Sequence, residues 1–402
     1  MANSLLTIDM ITRKSLEILE NNLVLSRNVN KEYDDSFAVE GAKIGSTLRI
    51  RLPDRALVTD GAALQVQDDN EQFTTLAVSS QKHIGINFTS AELTMQLDDF
   101  AERVLKPRIS QLAASVDADV ANAYKSIFNT VGTPGTTPAT ALVLLQAQQK
   151  LNESATPMSP RYATVNPAAN AGLVNGLSGF FNPTSTISRQ FKTGMMGEGV
   201  LGYDEMNMSQ SIVNHTTGNF PAAPICAATV PSTQGATTLD ITYTSGTKSL
   251  KQGDVFTIAA VYAVNPQTRL STGSLQQFVV TADQTLTSTS ATIAFLPAMY
   301  TASNALATVD AFPVASAALV FVGTASTVYP QNLVYHKNAI TLATADLLLP
   351  QGVDMASRQV HNGISMRIVR QYDINNDRMP CRVDVLYGFS TIRPPMACRI
   401  WG

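Results

Sequence analysis

Charged side chains are scarce in this 402-residue chain, at 15% of the total, and neither sign prevails: 28 Lys and Arg stand against 31 Asp and Glu. A protein that grips nucleic acid by its phosphates needs clustered basic side chains, because each neutralised phosphate contributes through released counterions. The missing basic surplus excludes tight nucleic-acid binding. Cysteine is nearly absent too. Cys226, Cys381 and Cys398 are scattered and odd in number, which argues against a disulfide framework and fits a reducing compartment. No apolar run approaches the ~20 residues that span a bilayer; the longest, Ala311 to Val322, is interrupted by Pro313. Met1-Ala2-Asn3-Ser4 lacks the basic start and apolar stretch of a signal peptide. These absences predict a soluble protein made in a cytoplasm.

Catalytic and metal-binding patterns are equally thin. The histidines are His83, His215, His336 and His361, none within metal-ligand spacing of another or of a cysteine. Gly197-Glu198-Gly199-Val200-Leu201-Gly202 satisfies G-x-G-x-x-G. A dinucleotide site would need that loop between a strand and a helix N-terminus, whereas here it follows a helical pattern and leads into Tyr203-Asp204-Glu205-Met206-Asn207. It reads as a flexible glycine-rich loop. Asp373-Ile374-Asn375-Asn376-Asp377 resembles the start of a calcium loop, but Arg378 replaces the required glycine, and a turn between strands accounts for it better. Asp98, Asp99, Asp117 and Asp119 share a helical stretch with Arg103, Lys106 and Arg108, the pattern of a solvated face. No catalytic, cofactor or metal residue is assigned, and the chain reads as a non-enzyme.

What is present is unevenly spread. Residues 1–130 hold 31 of the 59 charged side chains, whereas 223–330 hold seven and no Glu. That later stretch is rich in Thr, Ala, Ser, Val and Gln, which predicts an all-β module. Leu5, Ile8, Ile11, Leu16 and Leu19 recur at helical spacing and predict an amphipathic N-terminal arm. From Gly45 the period changes: Leu48, Ile50 and Leu52 alternate with Arg49 and Arg51, a strand with one polar face. Turns at Pro53-Asp54 and Asp60-Gly61, and a second run His83 to Phe88, predict a long two-stranded excursion over 46–90. Its charges, Arg49, Arg51, Asp54, Arg55, Asp60, Asp68, Asp69 and Glu71, make it a candidate strap between subunits. A long helical pattern follows from Ser90 to Ile127, with Pro107 marking a kink or a fresh start. Further helices are predicted over Ala139–Leu151 and from Pro167, with a strand at Tyr162–Val165. The tail returns to strands at Ile364–Ile368 and Val383–Tyr387. Arg393-Pro394-Pro395 places the last strand at an edge or takes it out of the sheet.

The element order, arm, charged hairpin, long helix, mixed α/β region and closing strands, resembles the Hong Kong 97 type capsid fold of tailed-phage major capsid proteins. A sharper likeness is to the coat proteins of short-tailed Salmonella-type podoviruses, which carry an inserted β-barrel. Gly202-Tyr203-Asp204-Glu205 resembles that group's Gly-Phe-Asp-Asp stretch. Lys251-Gln252-Gly253-Asp254-Val255 through Val261 is similar to the opening strand of its inserted module, and Gln277-Phe278-Val279-Val280 to the next. Cys381-Arg382-Val383, Tyr387-Gly388 and Arg393-Pro394 are similar to its C-terminal pattern.

The resemblance implies an α+β fold with a 1–40 N-terminal arm, a 41–90 extended loop and a 91–135 peripheral domain with its spine helix. A first axial part at 136–222, an inserted β-barrel at 223–332 and closing strands at 333–402 complete it. It implies a major capsid protein whose partner is itself, as pentamers and hexamers of an icosahedral shell around phage double-stranded DNA. A scaffolding protein and a portal complex are the other implied partners, with assembly in the bacterial host cytoplasm and no cofactor. A tail, decoration or adhesin subunit would explain residues 223–330 but not the helix before them.

Overall fold

A computed structural model of the protein describes residues 8–34, 47–53, 55–59, 61–62, 64, 66, 72–88, 104–176, 197–244, 246–374 and 379–402. The chain divides into two units. One comprises Met1–Ile50, Phe73–Ala121 and Ile340–Ile392, the other Arg51–Gln72, Asn122–Ala339 and Arg393–Gly402.

The first unit is built on the strand Met379–Thr391. It pairs antiparallel with Ile340–Ala345, with Ile364–Arg370 and, along nine residues, with Ser80–Phe88. Met355–His361 extends the sheet beyond Ile364–Arg370, and Asn30–Asp34 lies parallel to Ile340–Ala345. Helix α1 (Ile8–Asn22) buries Ile11, Leu16 and Leu19, packing on Met355–His361 and on the later helix α3. After the single turn α2 (Leu25–Asn28), helix α3 (Lys106–Ala121) buries Ile109, Leu112, Ala113, Val116 and Val120 at steps of one, three or four. Each of the larger ones, Ile109, Leu112, Val116 and Val120, contributes about 1.5–3 kcal/mol. Pro107 falls at a change of helix type: Val104 and Leu105 form part of a wider π-helical turn that runs directly into α3 at Lys106. Residues 91–103 of the expected helix lie outside the described residues.

Three features of this unit correct the sequence reading. The run at 83–88 does not close the charged hairpin. Thr47–Arg51 pairs instead with Phe73–Ala77, and Ser80–Phe88, carrying Lys82, joins the main sheet. The partner strand lies some 300 residues away, beyond the reach of local pattern. Secondly, Asp117 is not on a solvated face. It is buried, and its carboxylate accepts from the backbone N–H groups of Val24, Leu25 and Ser26 at 2.7, 3.3 and 2.9 Å. Thirdly, Asp119 is tied down: it pairs with Lys82 at 2.7 Å and accepts from Tyr387 Oη at 2.5 Å.

The second unit contains two main sheets. In the first, the order is Thr130–Val131, Ala397–Trp401, Val328–His336, Arg161–Val165, Tyr203–Met208 and Gly197–Val200. Helices α4 (Ala141–Glu153) and α5 (Pro167–Gly176) cover it, burying Leu144, Leu151 and Leu173 against Val165, Met206, Val334 and Ile400. The last strand does leave the sheet that precedes it: Arg393-Pro394-Pro395 breaks the ladder, and Ala397–Trp401 enters this second sheet between two neighbours. The glycine-rich stretch is a hairpin rather than a loop, turning at Leu201 and Gly202, both at positive φ.

The other sheet occupies the charge-poor stretch. Its strands run Ile225–Cys226, Ala236–Thr242, Ser290–Met299, Ser271–Val280, Val255–Val264 and Leu319–Phe321. The outer strands also meet: Cys226 N donates to Ala317 O at 2.8 Å and Leu319 N to Pro224 O at 2.9 Å. The core inside is its own, with Phe256, Phe278 and Phe295 in mutual ring contact. A sheet that curls around its own apolar core needs few charges, which is the compositional shift seen in the sequence.

Asp117→Ala removes a buried carboxylate that accepts from the N–H groups of Val24, Leu25 and Ser26 and is expected to destabilise the subunit by about 2–4 kcal/mol. Asp117→Asn, which keeps an oxygen, should cost less. Urea midpoints of the unassembled subunit measure both.

Candidate assembly site

The hairpin begins in the first unit. Leu48 and Ile50 pack inward with Leu76, Val78, Ala345 and Leu386, while Arg49 and Arg51 face out. Arg49 lies over the Phe73 ring, its guanidinium carbon 4.0 Å from the centroid, a cation–π contact that straightens the base. Leu52 N donates to Gln72 O at 2.8 Å, extending the ladder by one rung. Of the eight predicted strap residues, Arg49, Arg51 and Arg55 are exposed, and Arg55 lines a shallow cleft of the second unit with Lys150, Glu153 and Gln277. Asp54, Asp60, Asp68, Asp69 and Glu71 lie outside the described residues. Sequence reasoning stressed charge and missed the apolar side chains of the same segment. Val58, Leu64 and Val66 are 85%, 89% and 84% exposed.

The Tyr-Gly pair at 387–388 serves the same region. A Cβ on Gly388 would sit 2.1 Å from Ala77 O, so only glycine lets the strand Phe73–Ala77 pass this closely. The other motif residues are also structural. Tyr203 Oη donates to Leu144 O at 2.7 Å, and Asp204 accepts from Ser159 Oγ and Arg161 N at 2.9 and 2.7 Å. Asp254 receives His215 Nε2 at 2.8 Å and Lys251 N at 2.6 Å, together with Gly218 N. His215 Nδ1 is 3.0 Å from Tyr124 Oη. Gly253 sits at φ +101, a conformation that favours glycine, with Tyr124 and His215 close against it, and its carbonyl accepts from Arg399 Nη1 at 2.9 Å.

This Tyr–His–Asp array could be mistaken for catalytic machinery, but it is sealed in the core. Arg399 is fully buried beside the Tyr124 and Trp401 rings, and burial pushes its guanidinium down to about 10. Burial likewise raises the Tyr124 hydroxyl to about 12. The three cysteines are free and buried, their thiols raised to about 11 (Cys226) and about 12 (Cys381 and Cys398), so they are poor nucleophiles. Among the described residues no group of His, Cys, Asp and Glu could hold a metal ion.

Exposed apolar side chains on a well-packed body suit a subunit that works by meeting copies of itself. The protein is a shell-forming capsid subunit, the major capsid protein of a phage particle. It belongs to the P22 coat protein family, that of gene protein 5, whose model matches residues 1–402. No curated protein matches the chain. Solved structures of similar chain path include one from Mycobacterium phage Che8, 11% identical over 94% of this chain and 90% of that one, with TM-score 0.45. The capsid of Ralstonia phage GP4 is 8% identical over 94% and 88%, also at 0.45. The virus-like particle from Pyrococcus furiosus is 8% identical over 97% of both chains, at 0.36.

His336 makes stability depend on pH. It is buried, its Nδ1 accepts from Asn338 N at 3.1 Å, and desolvation, aided by Arg161 and Arg393, lowers its pKa below 6.5. The folded chain thus refuses a proton that the unfolded chain takes up, so this contribution is complete above pH 6.5 and is lost as pH falls below it. His336→Gln is expected to flatten the urea midpoint between pH 7 and 5, removing a slope of up to about 1.4 kcal/mol per pH unit.

Proposed function

We propose that the hairpin based on Thr47–Arg51 and Phe73–Ala77 is the extended loop of a Hong Kong 97 type capsid fold, acting as a strap between neighbouring copies in pentamers and hexamers. The observation that carries this reading is the exposure of Val58, Leu64 and Val66 on a segment flanked by Arg49, Arg51, Asp54, Arg55, Asp60, Asp68, Asp69 and Glu71. Apolar side chains supply non-directional attraction once covered, and charges of both signs set register and partner choice more than affinity. A strap of this kind tolerates the different angles at five-fold and six-fold positions, because its hinges absorb the change.

The self-cored sheet between Ile225 and Phe321 is, on this reading, the inserted module of the podovirus coat proteins, lying within the charge-poor stretch 223–330. Its meeting outer strands and separate aromatic core support that assignment. Membership of the coat protein family supports assembly with a scaffolding protein and around a portal complex, in the host cytoplasm, before the shell encloses DNA. The subunit's role is structural, with no chemical step.

Deleting residues 54–70 is expected to leave a folded subunit, with a circular dichroism spectrum and urea midpoint like the parent, that yields few closed shells by sedimentation and electron microscopy. Normal shells from the deletion would remove the strap from the mechanism.

A further inference from the structure

Two side chains on the closing strand of the second unit carry N–H groups that no protein atom accepts. Arg399 and Trp401 are 0% and 1% exposed, and among the described residues Arg399 Nε, Arg399 Nη2 and Trp401 Nε1 have no hydrogen-bond partner. Both residues lie on Ala397–Trp401, two positions apart and so on one face of the sheet. The Arg399 guanidinium carbon stands 5.6 Å from the Trp401 ring centroid. Buried polar groups are hydrogen-bonded as a rule, because an unpaired one forfeits its hydration with nothing in return. Three such donors on two neighbouring side chains mark a place where an acceptor belongs.

The shape of the donors says which kind. Arg399 Nη1 is engaged, donating to Gly253 O at 2.9 Å and to Gln331 Oε1 at 3.4 Å. Nε and Nη2 form the remaining side-on edge of the guanidinium, whose two N–H groups run parallel. The chain uses that same edge at Arg370, where Nε and Nη2 both donate to Asp354 Oδ2, at 3.1 and 2.8 Å. At Arg399 no carboxylate among the described residues meets it. Asp254, which acts on Arg399 through space, is taken up by His215 Nε2, Lys251 N and Gly218 N.

We propose that the Arg399 edge and the Trp401 indole N–H bind one small inorganic anion of the halide class, chloride being the common one. Every unpaired group here is a donor, and a halide accepts without donating. A water molecule would bring two further O–H donors to a spot already short of acceptors, and would leave the buried guanidinium charge without a partner. Enclosure sets the size of the ligand. The Tyr329 and His215 rings stand 5.5 and 6.4 Å from that of Trp401, and the Tyr124 ring 5.6 Å from the guanidinium carbon, so no acidic side chain of another molecule reaches the edge. The ion fixes the guanidinium that holds Gly253 O at the opening of the β module. The stability of that junction therefore depends on halide concentration.

Trp401 is the sole tryptophan of the chain, so its emission reports on the site directly. The full-length unassembled subunit is titrated with sodium bromide against sodium gluconate at constant ionic strength, and then with chloride in the presence of bromide. Bromide held against the indole quenches it, whereas a tryptophan this deeply buried is shielded from collisions in solution. The expected result is saturable quenching by bromide that chloride reverses. In urea unfolding, the folding constant is expected to rise about tenfold for each tenfold rise in chloride above half-saturation. Arg399→Lys, which keeps the charge and loses the fork, is expected to lose the saturable quenching; should it not fold, the parent titration decides alone. Weak quenching linear in bromide, with equal urea midpoints in chloride and gluconate, would overturn the proposal and leave the three donors to water. Saturable quenching that chloride fails to reverse would overturn it too, since the bromide would then sit elsewhere.

Discussion

The strand Met379–Thr391 is the constraint on which the first unit depends, and a buried charge fixes its register. Asp384 is fully buried within it, yet accepts from Arg367 Nη2 at 2.7 Å, Arg382 Nε at 2.6 Å and Gln81 Nε2 at 3.3 Å. A buried ion pair adds little net stability, but leaving such a carboxylate unpaired costs several kcal/mol. A slip of one residue would turn Asp384 to the opposite, apolar face and set a valine, Val383 or Val385, against Arg367 and Gln81 in its place. One residue thus selects the pairing of Ser80–Phe88 with Met379–Thr391 from among its near alternatives. The hairpin inherits that choice, since Ala77 must pass over Gly388.

The second unit uses the same device in another form. Asp254 gathers His215, Lys251 N and Gly218 N, and Gly253 passes its carbonyl to Arg399. These bonds bring the opening of the β module together with segments from residues 124, 215 and 399. Each buried polar group is costly alone and tolerable only when its partners are present, so the array specifies a single arrangement of four distant stretches. That is why its residues sit in motifs although they perform no chemistry.

What could be read from the sequence follows from this division. Local periodicity marked α1, α4 and the alternation of Leu48, Arg49 and Ile50, because a half-buried element carries its environment in its own spacing. Charge depletion over 223–330 marked the stretch that holds the six-stranded sheet between Ile225 and Phe321. The partner of Ser80–Phe88 was not legible, since Ile84 and Ile86 state that a face is buried but not by what. Asp117 was misread for a related reason: a carboxylate between basic residues looks solvated unless the N–H groups of Val24, Leu25 and Ser26, some 90 residues upstream, are known to converge on it. The apolar members of the hairpin tip were in plain view and lost among its charges.

A shell subunit must be exact inside and forgiving outside, and the two kinds of interaction here are distributed accordingly. Hydrogen-bonded charges are directional and lose strength steeply with misalignment; they lie inside the units, on Asp117, Asp254 and Asp384, where geometry need not vary. Apolar contact is non-directional and falls off with area rather than angle. Its unspent members, Val58, Leu64 and Val66 on the hairpin, face solvent, and contact of that kind survives small changes of tilt, which is what the proposed strap requires.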